Sequence, residues 1–323
     1  MENLTFALNA TLPVFLVMLL GALLRKVGIL HEGFCKDADQ YVFKVALPVS
    51  LFNSVSQMDF YSDFDPKFCL FCFLSTTVIF LGVWGLTWLL MKDKTLVGAF
   101  AQAAARSSAA ILGIAFVTNI YGNAGMVPMM ILSAVPFFNI YAVLILTFSP
   151  HCDEEGRLLP PEAGGGSAVK RACLGVLKNH IILGILLGFP FSLLRIQLPT
   201  FLSSALSTVG ATATPVALLV IGATFSGAKA IRLWKPTLTA GLIKLVVLPA
   251  LFLPLAALLG FRGSALVAIL IMTGSPTTVS CYVMAVSMKN NGTLTSSVVV
   301  LTTLLSSVTI TLWLYGLKVL GMI

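Results

Sequence analysis

Apolar residues run through this chain in stretches of twenty or more with few charges inside them. That is the pattern of helices that cross a bilayer, not of amphipathic helices laid on a soluble core. The runs at 4–24, 38–57, 67–91, 96–121, 124–148, 174–194, 200–225, 236–259, 264–288 and 293–318 predict ten spans. The second and seventh are interrupted by polar residues, which blurs their ends. The first opens on Met1-Glu2-Asn3 and has Arg25-Lys26 behind it, so it reads as a span and not as a cleaved signal.

Composition agrees. Of 323 residues 58% are hydrophobic and 10% charged, with a mean hydropathy of +0.99. A soluble domain carries about 25% charged residues, so a water-facing globule is excluded. Six cysteines in a chain of this length are no disulfide scaffold. Cys69 and Cys72 form a C-x-x-C inside an apolar run without His or acid nearby, and read as lipid- or core-facing. The excess of 20 Lys and Arg over 12 Asp and Glu suggests a nucleic-acid partner at first sight, but its distribution points to membrane orientation. With ten spans, thirteen basic residues fall on one side and Lys67, Arg195, Arg262 and Lys318 on the other, which places the first side in the cytoplasm of a cell-membrane protein and both termini outside. The polar segment from His151 to Ala172, with Gly164-Gly165-Gly166-Ser167, falls on the cytoplasmic side as a flexible linker. There is no phosphate-binding loop, no zinc spacing among His31, His151 and His180, and no acid at mid-span to complete a Ser-His-Asp set. Neither an enzyme, a metal site nor a cofactor is expected.

At an offset of 167 residues several matches align. Leu19-Leu20-Gly21 meets Leu186-Leu187-Gly188, and Leu47-Pro48-Val49-Ser50-Leu51 meets Thr214-Pro215-Val216-Ala217-Leu218. Asn123-Ala124-Gly125 meets Asn290-Asn291-Gly292, and Asn139 meets Ser306. Each half then holds five spans, and an odd number forces the second half upside down relative to the first. The fold class expected is therefore an all-α membrane protein of ten helices in two inverted five-helix repeats. Such repeats characterise secondary transporters whose substrate lies near the midplane on discontinuous helices.

Two spans invite a break. Span 9 carries Thr273-Gly274-Ser275-Pro276-Thr277-Thr278 at its centre, where Pro276 removes a backbone donor, Gly274 weakens the helix and hydroxyls stand ready for freed groups or a ligand. Its counterpart in span 4 is Ala104-Ala105-Arg106-Ser107-Ser108-Ala109-Ala110, without a proline, where Gly113 and the symmetry suggest a second break. Arg106 lies midway along span 4, where an arginine is unfavourable by at least about 3 kcal/mol. No Asp or Glu lies in the middle of any span or after residue 162, so the counter-ion expected for Arg106 is a substrate carboxylate, matched by the guanidinium fork. The N-terminal end of a half-helix is expected to add positive charge there. Gln102, one turn earlier, is placed to orient it; the opposing reading has Arg106 tying backbone carbonyls together. Lys44 reads as a residue that snorkels to the cytoplasm. Lys244, deeper in span 8, snorkels along a water-lined cleft, offsets a half-helix C-terminus or makes a second anion contact. Asn53, Asn139 and Ser306 are mid-depth polar residues for a ligand or for interhelical bonds.

The stretch Ser108-Ala109-Ala110-Ile111-Leu112-Gly113-Ile114-Ala115 resembles the span-4 motif of the auxin efflux carrier family, as do Pro276, Leu47-Pro48 and the plan of ten spans around a cytoplasmic loop. Gly113 and Ile114 match that motif, while Ser108 stands where Asn is usual and Ala115 where the crossover proline is usual. The resemblance implies a plan like that of NhaA-type antiporters and bile-acid symporters. Scaffold helices would lie in 1–60 and 174–230, a transport unit in 61–148 and 231–323, and a linker in 149–173. It also implies a homodimer, an elevator movement, and small organic carboxylates as substrate, in the manner of a bacterial malate- or malonate-type permease. Ser107, Ser108, Thr273, Ser275 and Thr277 would add hydroxyl bonds around Arg106, and Gly113, Gly274 and Pro276 would shape the crossing. Two alternatives stand beside this reading: a sodium-coupled symporter of the bile-acid type, and a membrane sensor that binds without translocating.

Overall fold

Helices account for all regular structure among the described residues of the computed structural model, which are 13, 16–57, 65–109, 116–117, 120–123, 125–153, 157–159, 179–225 and 227–323. In chain order they are α1 (16–26), α2 (Glu32–Tyr41), α3 (Leu47–Ser56), α4 (Pro66–Leu90), α5 (Val97–Ala105), α6 (Val127–Phe148), α7 (His180–Leu193), α8 (Thr200–Ala211), α9 (Ala213–Thr224), α10 (Gly227–Arg232), α11 (Trp234–Leu242), α12 (Leu248–Leu258), α13 (Ser264–Gly274), α14 (Ser280–Ser287) and α15 (Gly292–Val319). Among the described residues, five stretches are long and apolar enough to cross a membrane: Pro66–Leu90, Val127–Phe148, Thr200–Thr224, Trp234–Leu258 and Gly292–Val319. Among the described residues of the other five predicted runs, the second is helical from Glu32 to Ser56, and the rest hold shorter or interrupted helix. Residues 4–12 and 14–15 of the first run, 110–115 and 118–119 of the fourth and 174–178 of the sixth lie outside the described residues.

Polar caps mark where helices begin. Asp65 accepts from the Lys67 and Phe68 amides at the start of α4, Asn179 from Ile181 at α7, and Asn291 from Leu294 at α15. Each satisfies an amide that a helix start leaves open.

Two prolines widen the helices that carry them. Pro48 and Pro249 donate no amide, and their rings crowd the carbonyls one turn back. Over Val42–Ala46 and Ile243–Val247 the backbone relaxes into a π-turn, with the Leu47 amide reaching Val42 O and the Leu248 amide reaching Ile243 O. The carbonyl of Leu245, whose α-helical partner is Pro249, accepts from Trp313 Nε1 at 3.0 Å. Lys44 and Lys244 sit in these two turns.

Two clusters of helices result. The first holds α2, α3, α7, α8 and α9; the second holds α4, α5, α6 and α11 to α15, and α6 and α14 touch both. Close backbone approach knits the first cluster and brings in α1. A Cβ built on Gly21 of α1 would lie 2.2 Å from Leu219 O, and one built on Gly188 of α7 would lie 2.9 Å from Phe52 O. Small residues at helix contacts are how membrane bundles gain van der Waals packing where lipid removes the hydrophobic drive.

Candidate functional site

The second cluster is organised around two places where helix stops. Helix α5 ends at Ala105, and Arg106 is extended (φ −83°, ψ 135°). Helix α13 ends at Gly274, with Ser275 extended (φ −73°, ψ 160°), and helix resumes at Ser280. Pro276 explains the second stop: it has no amide for the Met272 carbonyl. The next amide, Thr277 N, is donated to Thr302 Oγ1 at 3.0 Å, so the Thr273 carbonyl also loses its helical partner. Open carbonyls away from water must be paired elsewhere, and here the pairing crosses between the stops. Ser107 Oγ donates to Met272 O, Thr277 Oγ1 donates to Ala103 O at 2.8 Å, and the Ser108 amide donates to Pro276 O at 2.9 Å. The two extended segments therefore touch, and each supplies a hydroxyl to the other's helix end.

Both helix ends present carbonyls, the negative pole of a helix, and a cation lies at each. Arg106 is 4% exposed; it donates through Nη2 to Asn139 Oδ1 and through Nη1 to Met284 Sδ. No acid is among its partners in the described residues. Arg106 follows the C-terminal end of α5, whose negative pole offsets the guanidinium charge, while the N-terminal start of α14 at Ser280 lines the same cavity as Arg106. Lys244 is fully buried and donates to Ser107 Oγ and, at 2.6 Å, to Thr273 O. Full burial overturns the snorkelling reading, and of the two remaining roles this geometry matches the offset of a half-helix C-terminus. Two hydrogen bonds from a charged group, about 1.5–3 kcal/mol each, and a helix pole worth up to about 2 kcal/mol are comparable to the several kcal/mol of desolvating one ion.

Beside the crossing lies a cavity of about 170 Å³. It is lined by Arg106, Ser107, Ser108 and Asn139, by Thr278 and Ser280 at the start of α14, and by Ser50, Ser54 and Thr214 of α3 and α9. A larger, almost wholly apolar groove of about 1470 Å³ runs between α4 and α11–α12, but it has no converging polar groups and does not reach Arg106.

Other predicted residues fall elsewhere or act differently. Gln102 is buried, but its side-chain amide donates to Cys281 O at 2.9 Å and not to Arg106. Asn139, besides receiving Arg106, donates to Val135 O at 2.9 Å. Thr273 Oγ1 bonds its own helix at Ile269 O, and Ser275 Oγ is buried without a hydrogen-bond partner. Gly274 closes against Pro249, whose Cγ would lie 2.6 Å from an added Cβ. Asn53 donates to Ser207 Oγ at 2.8 Å and accepts from Gln57, tying α3 to α8, while Ser306 bonds Thr303 O within α15; neither lines the cavity. Lys44 is exposed and donates to Gln40 Oε1. Gly113 lies outside the described residues.

Sequence reasoning missed several partners. Met284, Cys281 and Thr302 act through a sulfur, a carbonyl and a hydroxyl that their spacing does not advertise. Asp39, 6% exposed, accepts from Tyr282 Oη at 3.4 Å, and Tyr282 in turn meets Thr224 Oγ1 at 3.0 Å, joining α2, α14 and α9. The sequence signal was present in Asp39, an acid just inside an apolar run.

The whole chain has recognisable relatives. The family model described as "Membrane transport protein" matches residues 6–164 and 166–314. A protein of Methanothermobacter thermautotrophicus described as "Uncharacterized transporter" is 27% identical over 315 residues, covering 94% of this chain and 96% of its own length. The chain belongs to this family of membrane transporters, the auxin efflux carriers, and is a multi-pass transport protein rather than an enzyme.

Proposed function

We propose that this member of the auxin efflux carrier family is a secondary transporter of small organic carboxylates, which pair with Arg106 in the cavity beside the crossing. The observation that carries the reading is a buried guanidinium at a cavity wall whose partners are an amide oxygen and a thioether, not a carboxylate. A carboxylate entering there would gain a charge-assisted, bidentate pair, with hydroxyls from Ser108, Thr278 and Ser280 within the same cavity. The cavity is smaller than the about 300–1,000 Å³ typical of drug-sized ligands, which favours acids of malonate or malate size.

The reading includes ten spans as two inverted halves, with α5 and the following segment as one broken crossing helix and α13–α14 as the other. Contacts at the offset of 167 support it. Gly21 and Gly188 are equivalent under that offset, as are Phe52 and Leu219, and the close approaches are Gly21 to Leu219 and Gly188 to Phe52. Leu47 and Thr214, also equivalent, line the same cavity. A scaffold of α1–α3 and α7–α9 would stay fixed while the unit bearing the crossing moves as an elevator, and the division into two helix clusters fits that movement. The test is uptake of radiolabelled malonate and malate into proteoliposomes, alongside thermal shift against mono- and dicarboxylates. Absence of both binding and uptake across the series would refute the reading.

A further inference from the structure

Lys244 has a place that a transporter of this architecture commonly gives to something else. Where a helix is interrupted in the membrane, the unwound carbonyls and the half-helix C-terminal end are the atoms that coordinate sodium in ion-coupled carriers. Here the same kinds of atom are already occupied. The Thr273 carbonyl, freed because Thr277 N–H goes to Thr302, accepts from Lys244 Nζ at 2.6 Å, and Ser107 Oγ accepts from it as well. Ser107 donates its own hydroxyl to Met272 O, the carbonyl orphaned by Pro276, so one ammonium organises both open carbonyls at the C-terminal end of α13. The π-turn over Ile243–Val247 carries Lys244, which is fully buried and makes no ion pair with an acid among the described residues.

We propose that the Lys244 ammonium is a tethered cation that holds the oxygens of the crossing as a bound sodium ion would, so that the site takes its anion without any metal cation. This rests on the anion-carrier reading for its second half only. The oxygens that Lys244 gathers come from both interrupted segments, so removing the ammonium leaves a cage of hydroxyl and carbonyl oxygens lined for a small monovalent cation. A free cation small enough to enter should then restore what the side chain supplied.

The experiment uses the purified full-length protein. Thermal unfolding of ligand-free wild type and Lys244→Ala is measured in choline chloride, sodium chloride, potassium chloride and methylammonium chloride at equal ionic strength. The wild type should unfold at the same temperature in all four. Lys244→Ala should unfold several degrees lower in choline and recover in sodium or methylammonium, whereas Lys244→Met, which fills the space with an apolar chain, should recover in none. With malonate as probe, the wild-type stabilisation should be independent of sodium, and that of Lys244→Ala should require the added small cation. A sodium requirement in the wild type, full stability of Lys244→Ala in choline, or a loss that none of the three small cations restores would each overturn the proposal. If malonate and other carboxylates stabilise the wild type in no salt, the anion reading fails by itself, while the ligand-free arm still decides the role of Lys244. Should Lys244→Ala not be recovered folded, Lys244→Ser takes its place in every arm.

Discussion

Replacing Arg106 with glutamine should separate function from stability. In the ligand-free protein the guanidinium is buried with an amide oxygen and a thioether as partners, so it carries a charge that the surroundings only partly offset. An arginine at this depth is unfavourable by at least about 3 kcal/mol. Glutamine keeps an amide donor for Asn139 Oδ1 and removes the charge, so ligand-free Arg106→Gln should unfold at the wild-type temperature or above it. Binding should move the opposite way. Losing one partner of a buried hydrogen-bonded charge pair costs about 2–5 kcal/mol, which at about 1.4 kcal/mol per factor of ten is a drop of about 30-fold to a few thousand-fold in carboxylate affinity. Arg106→Lys keeps the charge but loses the planar fork and should fall between. Isothermal titration with malonate, thermal unfolding without ligand and proteoliposome uptake are read on the same preparations. Wild-type affinity and uptake in Arg106→Gln would refute the pairing. A large loss of ligand-free stability would show instead that the guanidinium is a brace for the crossing.

Other substitutions test the frame around that site. Thr277→Val removes the hydroxyl that serves Ala103 O and should lower stability by about 1–3 kcal/mol, the penalty of an unpaired buried acceptor, with Thr277→Ser restoring it in thermal unfolding. Gly21→Ala must push α1 away from Leu219 O and should be destabilising by about 1–3 kcal/mol, whereas Gly82→Ala in α4, with open space around the new methyl, should gain about 0.5–1 kcal/mol. Cys152, in the turn after α6, has its thiol pushed up to about 11 by burial from an ordinary 9.0. A raised acid pKa means that the folded state disfavours the thiolate. The stability contributed by the neutral thiol is therefore complete below pH 9 and lost as pH rises from there through about 11, a loss that Cys152→Ala should abolish in pH-dependent melts.

Five of the spans were legible because hydropathy over about twenty residues is a one-dimensional signal. The stop at Ser275 was legible too, from a proline set among glycine and hydroxyl residues at mid-span. Arg106 stood out as a charge where lipid tolerates few. What could not be read was direction and partnership. The carbonyl freed by Pro276 is served by Ser107, 165 residues away, and no spacing rule predicts that. A break in the sequence does not say which helix ends meet the side chain: the end of α5 precedes Arg106, and the start of α14 shares its cavity. Asn53 and Ser306 were grouped with the site because mid-depth polar residues look alike in a sequence; Asn53 pairs with Ser207 and Ser306 turns back on its own helix. The π-turns at Lys44 and Lys244 had a signal, a Leu-Pro pair within each apolar run, but whether proline kinks or widens a helix is decided by its neighbours.

The reciprocal hydroxyl bonds between the interrupted segments also bear on biogenesis. Donor and acceptor lie 165 to 174 residues apart in the chain. At about 5–20 residues per second, the ribosome needs on the order of ten to thirty seconds to make the later partner. Through that interval the earlier segment waits in or near the bilayer with carbonyls that nothing in lipid can satisfy. The nascent first half is therefore an incomplete piece, dependent on the insertion machinery or on water at its margin until the rest of the polypeptide arrives.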